Sequence, residues 1–126
     1  MFEPVIAIAA SPRDWPRRLY RHVVDHGGAR IRGTLLDRPS ATSESFDVLV
    51  VDDTTSFLDE RLVCDLHLRR QRIVGVYEEA WGRGLLWRLG VDGAIKRDAP
   101  ADAFLDAAIA LTHRVGDLTS SWEGKR

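Results

Sequence analysis

The chain has little of what would build a disulfide, a thiolate metal cluster or a nucleic-acid-binding surface. Cys64 is its single cysteine, which excludes an intramolecular disulfide and any site that needs several thiolates. The 18 basic residues face 19 acidic ones, for a formal net charge of -1, so no excess of positive charge favours nucleic acid or an anionic membrane. The apolar run after Met1 is too short for a signal sequence or a membrane span, and we expect a cytoplasmic protein.

The length and composition fit one folded unit. A chain of 126 residues with 44% apolar content can bury a single core without metals or disulfides. We therefore expect one domain over residues 1–116, followed by a polar tail over residues 117–126.

Five short apolar runs predict β-strands, and the segments between them predict helices or polar connections. The predicted strands are Val5–Ala10, Ala29–Leu36, Phe46–Asp53, Arg72–Tyr77 and Gly93–Lys96. The predicted helices run from the start signal Ser11-Pro12-Arg13-Asp14 to His26, over Phe57–Arg70 behind Thr54 or Thr55 as a cap, over Glu79–Leu89, and from Asp98-Ala99-Pro100 to Val115. The connection Asp37–Ser45 is polar and turn-rich, so the second helix is expected to be shortened or missing. This alternation predicts a three-layer α/β fold with a parallel sheet.

Two segments resemble a known family. Gly90–Leu111 is similar to the Gly-Ala-Asp-Gly-Tyr-Leu-x-Lys-Asp segment that leads into the last helix of CheY-like receiver domains of bacterial response regulators. Asp47–Asp52, with the sequence DVLVVD, is similar to the receiver strand that ends at the phospho-acceptor aspartate. The resemblance implies a flavodoxin-like (CheY-like) fold, with a five-stranded parallel sheet in the order 2-1-3-4-5 and a functional edge at the carboxyl ends of the strands.

The resemblance also places Asp52 at the phospho-acceptor position, without the residues that would assist it. Receivers hold magnesium with an acidic pair after the first strand, and they use a Ser or Thr at the end of the fourth strand and a lysine at the end of the fifth. The residues of this chain at those positions are Ala9, Ala10, Tyr77 and Arg97. Because methyl groups cannot ligate magnesium, the resemblance implies a degenerate receiver, or pseudo-receiver, that is not an enzyme and needs no metal or cofactor. Asp52 would then pair with Arg97 or Lys96, or remain a solvated acid.

Two other functional classes stay open. A working phospho-acceptor would use Asp52 with unusual metal ligands such as Asp53 or Glu78. A small flavodoxin-like enzyme or ligand-binding protein is disfavoured, because the chain has neither a phosphate-binding glycine loop nor a nucleophile arrangement of known spacing. His22 and His26 have the spacing of a ligand pair but lack a third ligand, and Cys64 is expected to be packed.

The last two helices predict an interaction surface. The candidate interface residues are Trp81, Arg88 and Phe104, whereas Trp87 is assigned either to this surface or to the core. The last helix is apolar nearly all round, so its outer face is either covered by another chain or simply rich in alanine.

We expect a non-catalytic regulatory module that binds a protein partner of unknown identity. Receivers commonly form homodimers through the fourth helix, fifth strand and fifth helix, and the resemblance implies the same here. A second resemblance, to the receiver-like amino-terminal domains of ParA/MinD-type ATPases in pilus-assembly systems, suggests such an ATPase as the partner. We expect neither a nucleic acid nor a membrane as partner.

Overall fold

The computed structural model describes residues 3–112, and its central feature is a five-stranded parallel sheet. The strands are β1 (Val5–Ala9), β2 (Arg30–Leu35), β3 (Val48–Asp52), β4 (Arg72–Tyr77) and β5 (Gly93–Lys96). Their order across the sheet is β2-β1-β3-β4-β5, and every neighbouring pair is parallel. This confirms the predicted α/β fold and strand order.

Helices cover both faces of the sheet. They are α1 (Trp15–His26), α2 (Arg38–Ser43), α3 (Glu60–Leu68), α4 (Ala80–Leu89) and α5 (residues 101–112). The second helix is shortened rather than missing, because the Asp37 carboxylate caps it by accepting a 3.0 Å hydrogen bond from the backbone N–H of Ser40. The predicted helix end at Val115 and the predicted tail over residues 117–126 lie outside the described residues. Within residues 3–112, no helix is both long and apolar enough to cross a membrane.

Alternating side chains of the strands divide the core into two parts. Ile6 and Ile8 of β1 pack on the side covered by α1 and α5. Ala7 and Ala9 pack on the opposite side, against α2, α3 and α4. The same alternation along β3 places Val50 on the side of α1 and α5 and Val51 on the opposite side.

The first helix begins later than its start signal predicts. α1 begins at Trp15, and Asp14 is its N-cap residue without a capping hydrogen bond from its side chain. The hydroxyl of Ser11 donates a hydrogen bond to the Asp52 carboxylate, so it does not cap the helix. Residues 11–13 therefore form a loop over the end of β3.

The third helix also begins later than predicted, for the same reason. The predicted caps Thr54 and Thr55 both donate hydroxyl hydrogen bonds to Asp52. Asp59 caps α3 in their place, and its carboxylate accepts a 2.8 Å hydrogen bond from the backbone N–H of Leu62. The hydroxyl groups predicted to cap α1 and α3 therefore donate to the Asp52 carboxylate and do not cap either helix.

The structure corrects the expected placement of Phe104 and Cys64, and it decides the placement of Trp87, which the sequence left open. Phe104 is only 2% exposed and stacks on Trp15 with 6.0 Å between ring centroids, so its prediction as an interface residue is wrong. Trp87 is 44% exposed and belongs to the surface. Cys64 is exposed, although it was expected to be packed. In each case the face of the helix that meets the sheet decides the burial, and apolar character alone does not.

Candidate functional site

The candidate site lies at the carboxyl end of β3, at the edge where the sequence places a phospho-acceptor. Asp52 is the last residue of this strand, and it is fully buried. Its neighbour Asp53 also has a fully buried side chain and joins the adjacent strand through a 3.1 Å hydrogen bond from its backbone N–H to the carbonyl of Val76. Two consecutive residues therefore bury their carboxylates away from water, and each carboxylate needs hydrogen-bond or ion-pair partners.

Protein donors occupy both carboxylate oxygens of Asp52. Oδ2 accepts hydrogen bonds from the hydroxyl of Ser11 and, at 2.8 Å, from the indole Nε1–H of Trp15. Oδ1 accepts from the backbone N–H of Thr54 at 2.8 Å and from its hydroxyl at 2.5 Å. The Thr55 hydroxyl lies 3.4 Å from the same oxygen and accepts a 3.0 Å bond from the backbone N–H of Asp52. The Asp52 carboxylate is therefore bound by Thr54, two residues further along the chain, and by Trp15, the first residue of α1.

These contacts decide the charge state of Asp52. Burial raises the pKa of its carboxyl, but the hydrogen bonds from Ser11, Thr54 and Trp15 outweigh burial and leave the pKa below its ordinary value. Asp52 is therefore ionised at neutral pH, and the protein itself provides the donors that solvate the charge.

Arg13 brings the positive charge of the site. Its Nη1 lies 2.6 Å from Oδ1 of Asp53 and 3.9 Å from Oδ2 of Asp52, and its Nη2 lies 3.5 Å from a carboxylate oxygen of Glu78. The Arg13 side chain is only 17% exposed. The sequence interpretation missed this residue because it treated Arg13 as part of a helix start; the only available signal was an arginine four positions after β1 in a chain that lacks the acidic pair.

The second oxygen of Asp53 packs against α4. Oδ2 is buried and has no hydrogen-bond partner within the described part of the chain. A methyl group built on Gly82, in the first turn of α4, would lie 2.1 Å from this oxygen. The absence of a side chain at Gly82 therefore lets the helix approach the carboxylate, and the positive end of the helix dipole favours the negative charge there.

The residues at the expected magnesium-binding positions do not fit a metal ion. Ala9 is fully buried on the side of α2, α3 and α4, and half-buried Ala10 donates its backbone N–H to the carbonyl of Leu35 at 2.9 Å. Neither side chain offers oxygen, and the Arg13 guanidinium places positive charge among the acids. No group of three or more His, Cys, Asp or Glu residues suited to a metal ion occurs within residues 3–112. Magnesium is a hard cation that needs oxygen ligands, and these residues do not supply the set.

The other two predicted site residues also lie away from Asp52. Tyr77, at the end of β4, packs against the part of the core beneath α2, α3 and α4. Arg97 places its Nε 3.1 Å from a carboxylate oxygen of Glu78 and its Nη1 4.0 Å from Asp14. The expected pairing of Asp52 with Arg97 or Lys96 is therefore wrong. Arg13 is the arginine at the acidic site, and Arg97 forms the outer end of the same ion-pair network.

The candidate interface residues on α4 are at the surface. Trp81 is 64% exposed, and Trp87 and Arg88 are exposed on the same helix. On α5, the next helix along the chain, Asp102 and Asp106 are exposed acids. α4 thus carries exposed aromatic and basic residues and α5 carries exposed acids, on opposite sides of the sheet, and we call these five residues the α4–α5 face.

Known proteins match this chain in fold and not in sequence. No protein-family model matches the chain, and no curated protein matches it by sequence. Solved structures do match it. A CheY-like response regulator receiver domain protein from Methanospirillum hungatei JF-1 superposes with a TM-score of 0.68 at 12% identity, covering 92% of this chain and 99% of that one. The fold is that of CheY-like receiver domains.

Two further structures extend the comparison of this receiver fold. The REC domain of AraT, a response regulator from Geobacillus stearothermophilus, matches with a TM-score of 0.70 at 12% identity over 94% of this chain and 99% of that one. A pilus assembly-related protein from Burkholderia pseudomallei K96243 matches with a TM-score of 0.67 at 22% identity over 88% and 92%. In this receiver fold Asp52 ends the central strand, surrounded by Ser11, Trp15 and Arg13.

Proposed function

We propose that this chain is a pseudo-receiver, a non-catalytic regulatory module of response-regulator-type signalling whose Asp52 is not phosphorylated by the magnesium-dependent route. The observation that carries the proposal is the state of Asp52, which is fully buried with both oxygens bound by protein donors. Ala9 and Ala10, where the fold would place metal ligands, add no oxygen. The receiver fold is the support for a signalling role.

Phosphoryl transfer to Asp52 would require two changes. One carboxylate oxygen must be free to attack, so the donors from Ser11 and Trp15 or those from Thr54 would have to leave. Positive charge must also neutralise the incoming phosphoryl oxygens, a task that metal ions perform in most phosphoryl-transfer sites. The methyl groups of Ala9 and Ala10 cannot hold such an ion.

The regulatory role needs a contact surface, and we assign it to the α4–α5 face. Exposed tryptophan and arginine are typical of interface centres. In a homodimer with a twofold axis through this face, Arg88 of one copy would oppose Asp102 or Asp106 of the other, because a symmetric interface pairs each patch with itself. A homodimer through α4, β5 and α5 therefore satisfies both the apolar and the charged parts of the surface.

A different protein is the second candidate occupant of the α4–α5 face. One similar structure belongs to a pilus assembly-related protein, and the sequence resembles the receiver-like domains of ParA/MinD-type ATPases. An ATPase of that type is the partner that we propose on these grounds.

Two experiments test the proposed function. Incubation with acetyl phosphate and magnesium, followed by intact-mass measurement, should leave the mass unchanged. A phosphoryl adduct that the Asp52→Asn variant lacks would instead establish a working phospho-acceptor with ligands such as Asp53 or Glu78.

Sedimentation at micromolar concentration tests the surface. We expect a dimer that Trp81→Ala shifts toward monomer, whereas Arg17→Gln, an exposed change on α1, should not affect it. A wild-type monomer that binds no added ATPase would contradict the interaction role.

A further inference from the structure

Arg13 occupies the centre of a cluster of three carboxylates. Asp52 and Asp53 come from the end of β3, and Glu78 comes from the loop between β4 and α4. The guanidinium lies 2.6 Å from Asp53, 3.5 Å from Glu78 and 3.9 Å from Asp52. Acids from two neighbouring strand ends thus converge on one positive group that belongs to the chain itself.

We infer that the Arg13 guanidinium is a built-in substitute for the divalent cation that the fold would otherwise hold at this edge. This inference rests on the proposed function, because it explains how the acidic site persists without a metal. The guanidinium is permanently charged and donates several hydrogen bonds in one plane, so it can satisfy more than one carboxylate at a time.

The burial of Asp53 is the strongest support. Its side chain is fully buried, Oδ2 has no described partner, and Arg13 is its one ion-pair partner within the described residues. An ionised carboxylate without a counter-charge is strongly disfavoured away from water. A carboxylate buried at this place needs a cation beside it, and Arg13, 2.6 Å from Asp53, is that cation.

Arg13 also links the start of α1 to the start of α4. Glu78 directly precedes Glu79, the N-cap residue of α4, and Arg97 binds the same Glu78 carboxylate at 3.1 Å. The connection between the acidic site and α4 is thus made by side chains alone.

The inference predicts that a divalent cation binds and stabilises the protein only when the positive charge of Arg13 is removed. In Arg13→Gln, the side chain keeps nearly the same reach but loses the charge, so the carboxylates should attract Mn²⁺ on the order of tenfold more tightly than in wild type. Mg²⁺ and Mn²⁺ should raise the melting temperature of this variant and leave that of wild type unchanged.

Arg13→Lys and Arg17→Gln are the matched controls. Lysine keeps the positive charge at the site, so Arg13→Lys should show no cation response. Arg17 is exposed on α1 outside the cluster, so Arg17→Gln makes the same change of net charge elsewhere and should also show none. Free Mn²⁺, measured by electron paramagnetic resonance, reports binding independently of unfolding.

A wild-type protein that binds Mn²⁺ as tightly as Arg13→Gln would overturn the inference, and so would an Arg13→Gln variant without any gain. If Arg13→Gln does not fold, the double variant with Asp53→Asn in the Arg13→Gln background serves instead, because loss of the carboxylate charge should restore the stability that is lost with the guanidinium charge. The absence of such restoration would equally contradict the inference. A failed cation response with unmodified Asp52 would refute only the role of Arg13, whereas a phosphoryl adduct on wild type would refute the proposed function itself.

Discussion

Gly82 and Gly84 offer a matched pair of substitutions in α4, because alanine should destabilise the protein at the first position and stabilise it at the second. A methyl group built on Gly82 would lie 2.1 Å from Oδ2 and 3.0 Å from Cγ of Asp53. The same group on Gly84 would meet no atom within 4 Å. Both substitutions place the same methyl group in the same helix, so the difference between them measures the contact with Asp53 alone.

The two magnitudes follow from helix propensity and overlap. Replacing glycine by alanine inside a helix favours folding by up to about 1 kcal/mol, which is the expected gain for Gly84→Ala. Gly82→Ala has the same gain, but Asp53 cannot swing away because its side chain is fully buried and bound to Arg13. Overpacking of this kind costs about 1–3 kcal/mol, and displacement of the buried ion pair adds to that cost. Because the helix gain is common to both variants, we expect them to differ by about 1–3 kcal/mol from overpacking, with any displacement of the ion pair added to that difference.

Urea unfolding followed by circular dichroism measures this difference, provided that the dependence of stability on denaturant is the same for both variants. Equal stability of Gly82→Ala and Gly84→Ala would refute the close packing of Asp53 against α4. As a further check, the cost of Gly82→Ala should shrink in an Asp53→Ala background, since the overlapping oxygen is then gone.

Four further outcomes are expected. The pKa of Asp52 is lowered from 3.8, so its ionised form stabilises the fold above about pH 4 and this contribution is lost as the pH falls through the folded-state pKa; Asp52→Asn should remove that part of the acid-unfolding curve. Trp15→Phe keeps the stacked ring but loses the 2.8 Å hydrogen bond to this carboxylate, which should cost about 1.5–3 kcal/mol in urea unfolding. Trp81→Ala should change the free energy of unfolding by less than about 0.5 kcal/mol, whereas Phe104→Ala should cost about 3–5 kcal/mol; similar costs would contradict their assigned burial. Cys64 should react with a thiol reagent in the folded protein, and protection until unfolding would contradict its exposure.

The sheet could be predicted from the sequence because its strands are short apolar runs, separated by segments with clear helix or turn signals. A strand such as Val48–Asp52, buried along its whole length, leaves a continuous apolar pattern that few other structures produce. The resemblance to receivers then supplied the strand order, which periodicity alone does not contain.

The site was predicted only in part. Asp52, Ala9 and Ala10 could be placed at the edge of the sheet because they occupy fixed positions relative to the strand ends. Arg13 was not found, because its partner Asp53 lies 40 positions away in sequence and local rules assign the arginine to a helix start. The same local rules assigned Ser11 to a helix cap, whereas its hydroxyl binds the buried carboxylate of Asp52.

Burial on the helices was the other limit of the sequence interpretation. Trp81 and Phe104 are both large aromatic residues on successive helices of the chain, and composition does not distinguish them. Their exposures of 64% and 2% differ because the helix faces that meet the sheet are set by packing, which the apolar stretch of α5 does not specify. For Phe104 the deciding contact is the stacked ring of Trp15 on α1.

The indole N–H of Trp15 gives the most direct test of the central claim, because it donates a hydrogen bond to the Asp52 carboxylate and its resonance responds to any group that binds there. Its resonance in a proton–nitrogen correlation spectrum should be followed as magnesium and then beryllofluoride, a phosphoryl mimic, are added. A pseudo-receiver whose acid is already saturated should leave that resonance unmoved. A shift that requires both additions and disappears in Asp52→Asn would show that the site still accepts a phosphoryl group.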